Sequence, residues 1–106
     1  MLFVETSEFT RRLRSHLDDD GYAALQAFLS VRPDAGDIIR GAGGIRKIRW
    51  RSKGRGKQGG VRVIYYWLAA EDHIYLLTLY RKGVKDDLTR AEVAAWRKIV
   101  EDVENA

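Results

Sequence analysis

Two neighbouring stretches, VRVIYYWL at Val61–Leu68 and HIYLLTLYRK at 73–82, constrain most strongly what this chain can fold into. Both are rich in β-branched and aromatic residues, and a turn around Ala70, Glu71 and Asp72 separates them, so they read as a β-hairpin. Apolar side chains stand at odd and even positions alike. A strand with one wet face would alternate apolar and polar, so both strands belong at the centre of a sheet.

The pattern elsewhere supplies their neighbours. In 45–51, Arg46, Ile48 and Trp50 point one way and Ile45, Lys47, Arg49 and Arg51 the other. SKGRGKQGG at 52–60 contains no apolar side chain and reads as a long hairpin loop leading into the next strand. Leu2–Glu5 reads as a short first strand. Thr6 or Ser7 can then cap a helix, with Glu8 near its positive end and Phe9, Leu13 and Leu17 forming one apolar stripe opposite a basic face. Asp18, Asp19 and Asp20 end that helix and start a second, whose buried side is Tyr22, Leu25, Phe28 and Leu29. Arg32-Pro33-Asp34 closes it, because proline disfavours a helical residue before it. The short link between the helices predicts an antiparallel helical hairpin. Thr89-Arg90-Ala91-Glu92 matches a capping box for a last helix with Val93, Trp96 and Val100 facing inward. The order is β-α-α-β-β-β-α, an α+β domain over 1–106 with a mainly antiparallel sheet packed against helices, expected on one face.

With 106 residues, 45% of them apolar, the chain suits one hydrophobic core. It has no cysteine, which excludes disulfides and thiolate metal sites. MLFVETSEF lacks a basic leader followed by an apolar run, and no apolar stretch approaches the ~20 residues that span a bilayer. A soluble, cytoplasmic protein with no membrane partner is expected. The net charge of +4 conceals a segregation: nine of the 19 Lys and Arg lie in 40–62, and no carboxylate lies from 38 through 70. The remainder of the chain carries a formal charge of −5. A mildly acidic body with one strongly basic segment points to an anionic partner, most simply a phosphate backbone. A charged surface serving only solubility would mix both signs.

Within that segment Lys47 and Arg49 share a strand face about 7 Å apart. Arg62 opens the following strand, so pairing across the loop can bring the three toward one phosphate. Lys53, Arg55 and Lys57 alternate with small or flexible residues in the loop, where the backbone can follow a nucleic-acid strand closely. Cations that only protect a sheet edge need be one or two lysines, so that reading explains the excess poorly. A nucleotide-phosphate loop would need GxxxxGK[ST] between a strand and a helix, which is absent. His16 and His73 stand in different elements without ligand spacing, so no metal site is expected. Trp50, Tyr65, Tyr66 and Trp67 read as core aromatics, with base stacking the alternative. The Asp18 to Asp20 and Asp86–Asp87 clusters read as helix caps.

The run IIRGAGGIRKIRWRSKGRGKQGGVRVIYYWL, followed by YLLTLYRKGVKDDLT, resembles the RelE/HigB superfamily of bacterial toxin–antitoxin toxins, and within it the HigB-like branch. The resemblance extends over nearly the whole chain. It implies a small RelE-like fold, cleavage of messenger RNA in the ribosomal decoding site, and neutralisation by a cognate antitoxin of helix-turn-helix type. The implied catalytic residues are Lys47 and Arg49, Arg62, and Lys82, and no cofactor or metal is implied. The late tyrosine typical of RelE has no counterpart, because Asp86, Asp87 and Leu88 stand there, and the histidines of some HigB toxins are missing as well. Such a site leaves attack to the ribose 2′-OH. Lys47 is the candidate general base, Arg62 the stabiliser of the phosphorane-like transition state, Arg49 a phosphate-orienting group, and Lys82 the group at the leaving oxygen. Arg46, Arg51, Lys53, Arg55 and Lys57 are the expected RNA and ribosome contacts. A non-catalytic ParE-like inhibitor of DNA gyrase and a plain RNA-binding module are the competing readings.

Overall fold

The computed structural model describes residues 1–51, 60–83 and 87–105. Strand β1 (Leu2–Glu5) leads into helix α1 (Ser7–His16), and α2 (Asp19–Val31) follows directly. Thr6 caps α1: its hydroxyl accepts the Phe9 amide at 3.1 Å and donates to the Leu77 carbonyl at 2.7 Å, so one side chain starts the helix and pins it to the sheet. Asp18 caps α2 by accepting the Gly21 amide at 2.6 Å, and that helix stops at Val31, ahead of Arg32 and Pro33. Next come β2 (Asp37–Ile38), β3 (Arg46–Trp50), β4 (Val61–Leu68), a 3₁₀ turn (Ala69–Glu71), β5 (His73–Arg81) and α3 (Arg90–Glu104). Thr89 caps α3 through the capping box with Glu92 that its sequence predicts.

The strands form one sheet in the order β1-β5-β4-β3-β2. β1 runs parallel to β5 and every other pairing is antiparallel. The two doubly apolar strands, β4 and β5, are interior, as their composition demands. β2 is an element the sequence reading lacks, because two residues carry no periodicity.

The expectation of helices on one face is wrong. Phe9, Leu17, Leu25 and Leu29 of the α1–α2 hairpin region pack with Val61, Val63 and Tyr65 on one side of the sheet. Ile45, Ile64, Tyr66 and Leu77 pack with Val100 of α3 on the other. The reason lies in β4 itself, whose odd and even residues are both apolar, so each face needs its own cover. A smaller correction concerns Phe28, placed in the core by its spacing. It is 38% exposed and lies with its ring 5.5 Å from that of Trp50.

The pairing of β4 with β5 is irregular at one point. Ile64 pairs with Thr78 but Tyr65 pairs with Leu76, so Leu77 is an extra residue on β5, a bulge that shifts the parity of the strand. Ile74 and Leu76 face α1 and α2; beyond the bulge Leu79 takes that side, and Tyr80 turns toward α3.

Candidate nucleic-acid interface

On the α3 face, the β3–β4 register sets Lys47 opposite Ile64 and Arg49 directly opposite Arg62. The β4–β5 register then sets Arg62 opposite Tyr80. Arg49, Arg62 and Tyr80 thus form a row across three strands, with Lys47 one pleat away on β3. Burial grades along the row: Arg49 is exposed, Lys47 half-buried, Arg62 is 7% exposed and Tyr80 4%. Like charges directly opposite one another on a sheet are destabilising, so the Arg49–Arg62 pairing is a site where an anion would be stabilised.

Two further groups complete the surroundings, and the sequence reading missed both. Asp87 sends a carboxylate oxygen to within 3.4 Å of Lys47 Nζ. Its expected role as a helix cap falls to Thr89, two positions on, leaving Asp87 to serve the site. Tyr80 forms the floor beside Arg62. Burial pushes its hydroxyl up, Asp87 pushes the same way, Arg62 pulls it down, and Glu92 again raises it. That hydroxyl therefore stays protonated and polar at neutral pH, in electrostatic reach of a cation and two carboxylates. No sequence periodicity could have found it, because the bulge decides which way Tyr80 points. Asp87 had a weak signal: it is a carboxylate two residues before the Thr89 cap and is not needed to start α3.

Lys82 is exposed, and its amide donates to the Gly60 carbonyl at 3.3 Å, which sets it next to the start of β4 and hence at the Arg62 end of the sheet. Arg51 is exposed just past β3. Lys53, Arg55 and Lys57 lie outside the described residues.

A family model described as the RelE toxin of the RelE/RelB toxin–antitoxin system matches residues 2–106. The chain belongs to the RelE toxin family. Its fold is similar to that of a free-state mutant of the E. coli toxin RelE, with a TM-score of 0.58 over 93% of this chain and 95% of that one, at 16% sequence identity. Membership in a toxin–antitoxin family implies an antitoxin partner.

In this RelE-family chain, Arg46 does not join the other cations. It lies on the α1–α2 face, where its guanidinium donates to the carbonyls of Asp34 at 3.0 Å and Gly36 at 2.8 Å. The same loop is held by Tyr65, whose hydroxyl accepts the Gly36 amide at 2.9 Å and donates to the Pro33 carbonyl at 2.8 Å. Arg46 thus fastens the loop after α2 and stands on the opposite face from the cations with which it was expected to contact RNA. The aromatics are core residues: Tyr65 is fully buried, and the Trp50 indole donates to the Gly21 carbonyl at 3.1 Å. Among the described residues, no helix is long and apolar enough to cross a membrane.

Proposed function

We propose that this chain is a metal-independent endoribonuclease that cuts messenger RNA on the ribosome, inhibits translation, and is neutralised by a cognate antitoxin. The observation that carries the reading is the direct opposition of Arg49 and Arg62 on the α3 face, with Lys47 beside them, in a chain whose family is that of RelE toxins.

The chemistry needs little from the protein beyond position and charge. RNA carries its own nucleophile, the 2′-OH, which attacks the adjacent phosphorus; the O2′–P bond forms and the P–O5′ bond breaks. Lys47, once RNA has displaced Asp87 and in its neutral amine form, takes the 2′-OH proton, and the Lys82 ammonium gives one to the departing O5′. Arg62, fixed in a largely water-free floor, donates to the equatorial oxygens as their negative charge grows. Arg49, opposite it and exposed, orients the phosphate. Products are a 2′,3′-cyclic phosphate and a 5′-hydroxyl. Tyr80, too buried to touch substrate, lies directly across the sheet from Arg62 and acts as a positioning residue for it. Arg51, Lys53, Arg55 and Lys57 supply further contacts to RNA backbone.

The deciding experiment maps 5′ ends on transcripts in a cell-free translation reaction supplied with the wild-type chain, Arg49→Ala and Arg62→Lys. New 5′-hydroxyl ends in the wild type, strongly reduced in both variants, are expected. Translation arrest with uncut transcripts would remove the nuclease reading. Loss of gyrase supercoiling in a parallel assay would replace it with the ParE-like one.

A further inference from the structure

A cleft of about 550 Å³ opens between the exposed side of α3 and the 40–44 segment, outside the site described above. Four cations line it: Arg40 from the segment, and Arg90, Arg97 and Lys98 from α3. Leu88 and Val93 contribute an apolar floor. The wall is built in place. Arg97 donates to the Gly41 carbonyl at 3.3 Å, and Gly41 and Gly43 adopt φ of +76° and +73°, which lets the segment turn tightly against the helix.

The charges are not explained by stability. Arg97 pairs with Glu101 at 3.4 Å, but among the described residues no carboxylate lies within ion-pairing distance of Arg40, Arg90 or Lys98. Arg90 is the first residue of α3, where the helix end is itself partly positive and a cation is unfavourable. The cleft is also polarised along the helix. Arg90 to Lys98 covers about 12 Å of axis, and the carboxylates of Glu101 and Asp102 close the far end. An anionic chain entering at Arg90 would therefore be held for two helical turns and then turned away.

The entrance adjoins the candidate catalytic row. Leu88 lines the cleft, and the preceding residue, Asp87, contacts Lys47. Arg40 follows β2, whose Asp37 pairs with Lys47 across the sheet. From these placements we infer that the cleft between α3 and the 40–44 segment is a second phosphate-binding stretch, which holds the RNA strand flanking the phosphate to be cut. The inference rests on the RNA-cleaving reading of the Lys47, Arg49 and Arg62 site. It adds a continuous path: backbone phosphates on Arg40, Arg90 and Lys98, with a base or sugar against Leu88 and Val93.

The test uses the full chain and a labelled, single-stranded 12-nucleotide 2′-O-methyl RNA, which cannot be cut. Binding is followed by fluorescence anisotropy across a salt series. The triple variant Arg40→Gln, Arg90→Gln, Lys98→Gln leaves Arg97 to hold the segment. Losing three phosphate contacts should lower the magnitude of the slope of log affinity against log salt by about 2, with circular dichroism and Tm unchanged. A trinucleotide, long enough for the catalytic row alone, should bind wild type and triple variant equally. If the triple variant does not fold, the double variant Arg90→Gln, Lys98→Gln should show a slope change of about 1.4. An unchanged slope for the 12-mer overturns the inference. If Arg49→Gln still weakens binding in that case, the nuclease reading stands without the cleft; if it too has no effect, both fall. Intact RNA binding with lost affinity for a poly-glutamate peptide would also overturn it, assigning the cleft to an acidic protein segment.

Discussion

Lys47 Nζ lies 3.4 Å from a carboxylate oxygen of Asp87, forty residues away in sequence and next to the start of α3. The pair joins the basic strand β3 to the segment that introduces the last helix. Asp87 is 64% exposed on its side chain, so the pair adds little to stability, about 0–1 kcal/mol. Its consequence is competitive: any phosphate that uses Lys47 must displace Asp87. Asp87→Asn should therefore tighten binding of a non-cleavable RNA by about 2–5-fold, with Tm almost unaffected. Weaker binding of RNA to this variant would show that Asp87 assists the ligand instead of competing with it.

Tyr80 sits opposite Arg62 and is buried beneath the row. Tyr80→Phe keeps the ring and its packing and removes only the hydroxyl. As a positioning residue it should slow single-turnover cleavage on ribosomes about 10-fold while the affinity for non-cleavable RNA stays level. A matched fall in affinity and rate would mean that the hydroxyl matters only to the shape of the site. Tyr80→Ala, which empties the floor, should cost about 3–5 kcal/mol in denaturant unfolding.

The tyrosines also set the alkaline limit of the fold. Burial, a hydrogen bond to the Glu104 carboxylate and that carboxylate's charge push Tyr66 up to about 12. Tyr22, buried and hydrogen-bonded to Glu5, and Tyr65, buried behind Gly36, are raised as well. The folded state thus keeps protons that the unfolded chain releases near the ordinary tyrosine value of about 10. This stability is fully present below that value and is lost as the pH rises from about 10 toward 12. Tm should be flat from neutral pH to about 9.5 and then fall steeply, and Tyr66→Phe should make the fall shallower. An equal slope in that variant would contradict the role given to Tyr66.

Gly60 has φ +63°, and a Cβ there would lie 2.8 Å from the Trp50 carbonyl oxygen. Both the backbone conformation and the space exclude a side chain where β3 and β4 come together next to Arg62. Gly60→Ala should cost more than about 1 kcal/mol in chemical denaturation and slow cleavage through the displaced arginine. Gly83, also at positive φ (+97°) but with no atom of the described residues within 4 Å of a Cβ there, should lose only about 1 kcal/mol as Gly83→Ala, with cleavage unchanged.

Much of this architecture could be read directly from residue order. Caps at Thr6, Asp18 and Thr89, the stop at Arg32-Pro33, and the two hairpins are local chemistry, decided within a few residues, and each recurs in the structure. The shared face of Lys47 and Arg49 is equally local, because side chains alternate on a strand. Their convergence with Arg62 needed one further assumption, that β3 and β4 pair across the loop, and the register bears it out. The sequence reading failed at β2, which is too short to show a period, and at the placement of helices. There the doubly apolar β4 already carried the answer, since a strand dry on both faces requires cover on both.

The amino-acid sequence by itself determined the element order, the interior strands and the basic character of one sheet face, because these follow from short-range periodicity and composition. Tertiary structure alone decided what surrounds those cations. A single extra residue, Leu77, turns Tyr80 from the α1–α2 side to the α3 side, and a bulge depends on how two strands meet rather than on either strand alone. Asp87 reaches Lys47 only because α3 returns over the far face of the sheet, forty residues later. Arg46, equal to its neighbours in charge, is turned to the opposite side and engaged by backbone carbonyls. A cation's charge is written in the sequence; whether it is left for a ligand or used by the fold depends on the groups that folding brings to it.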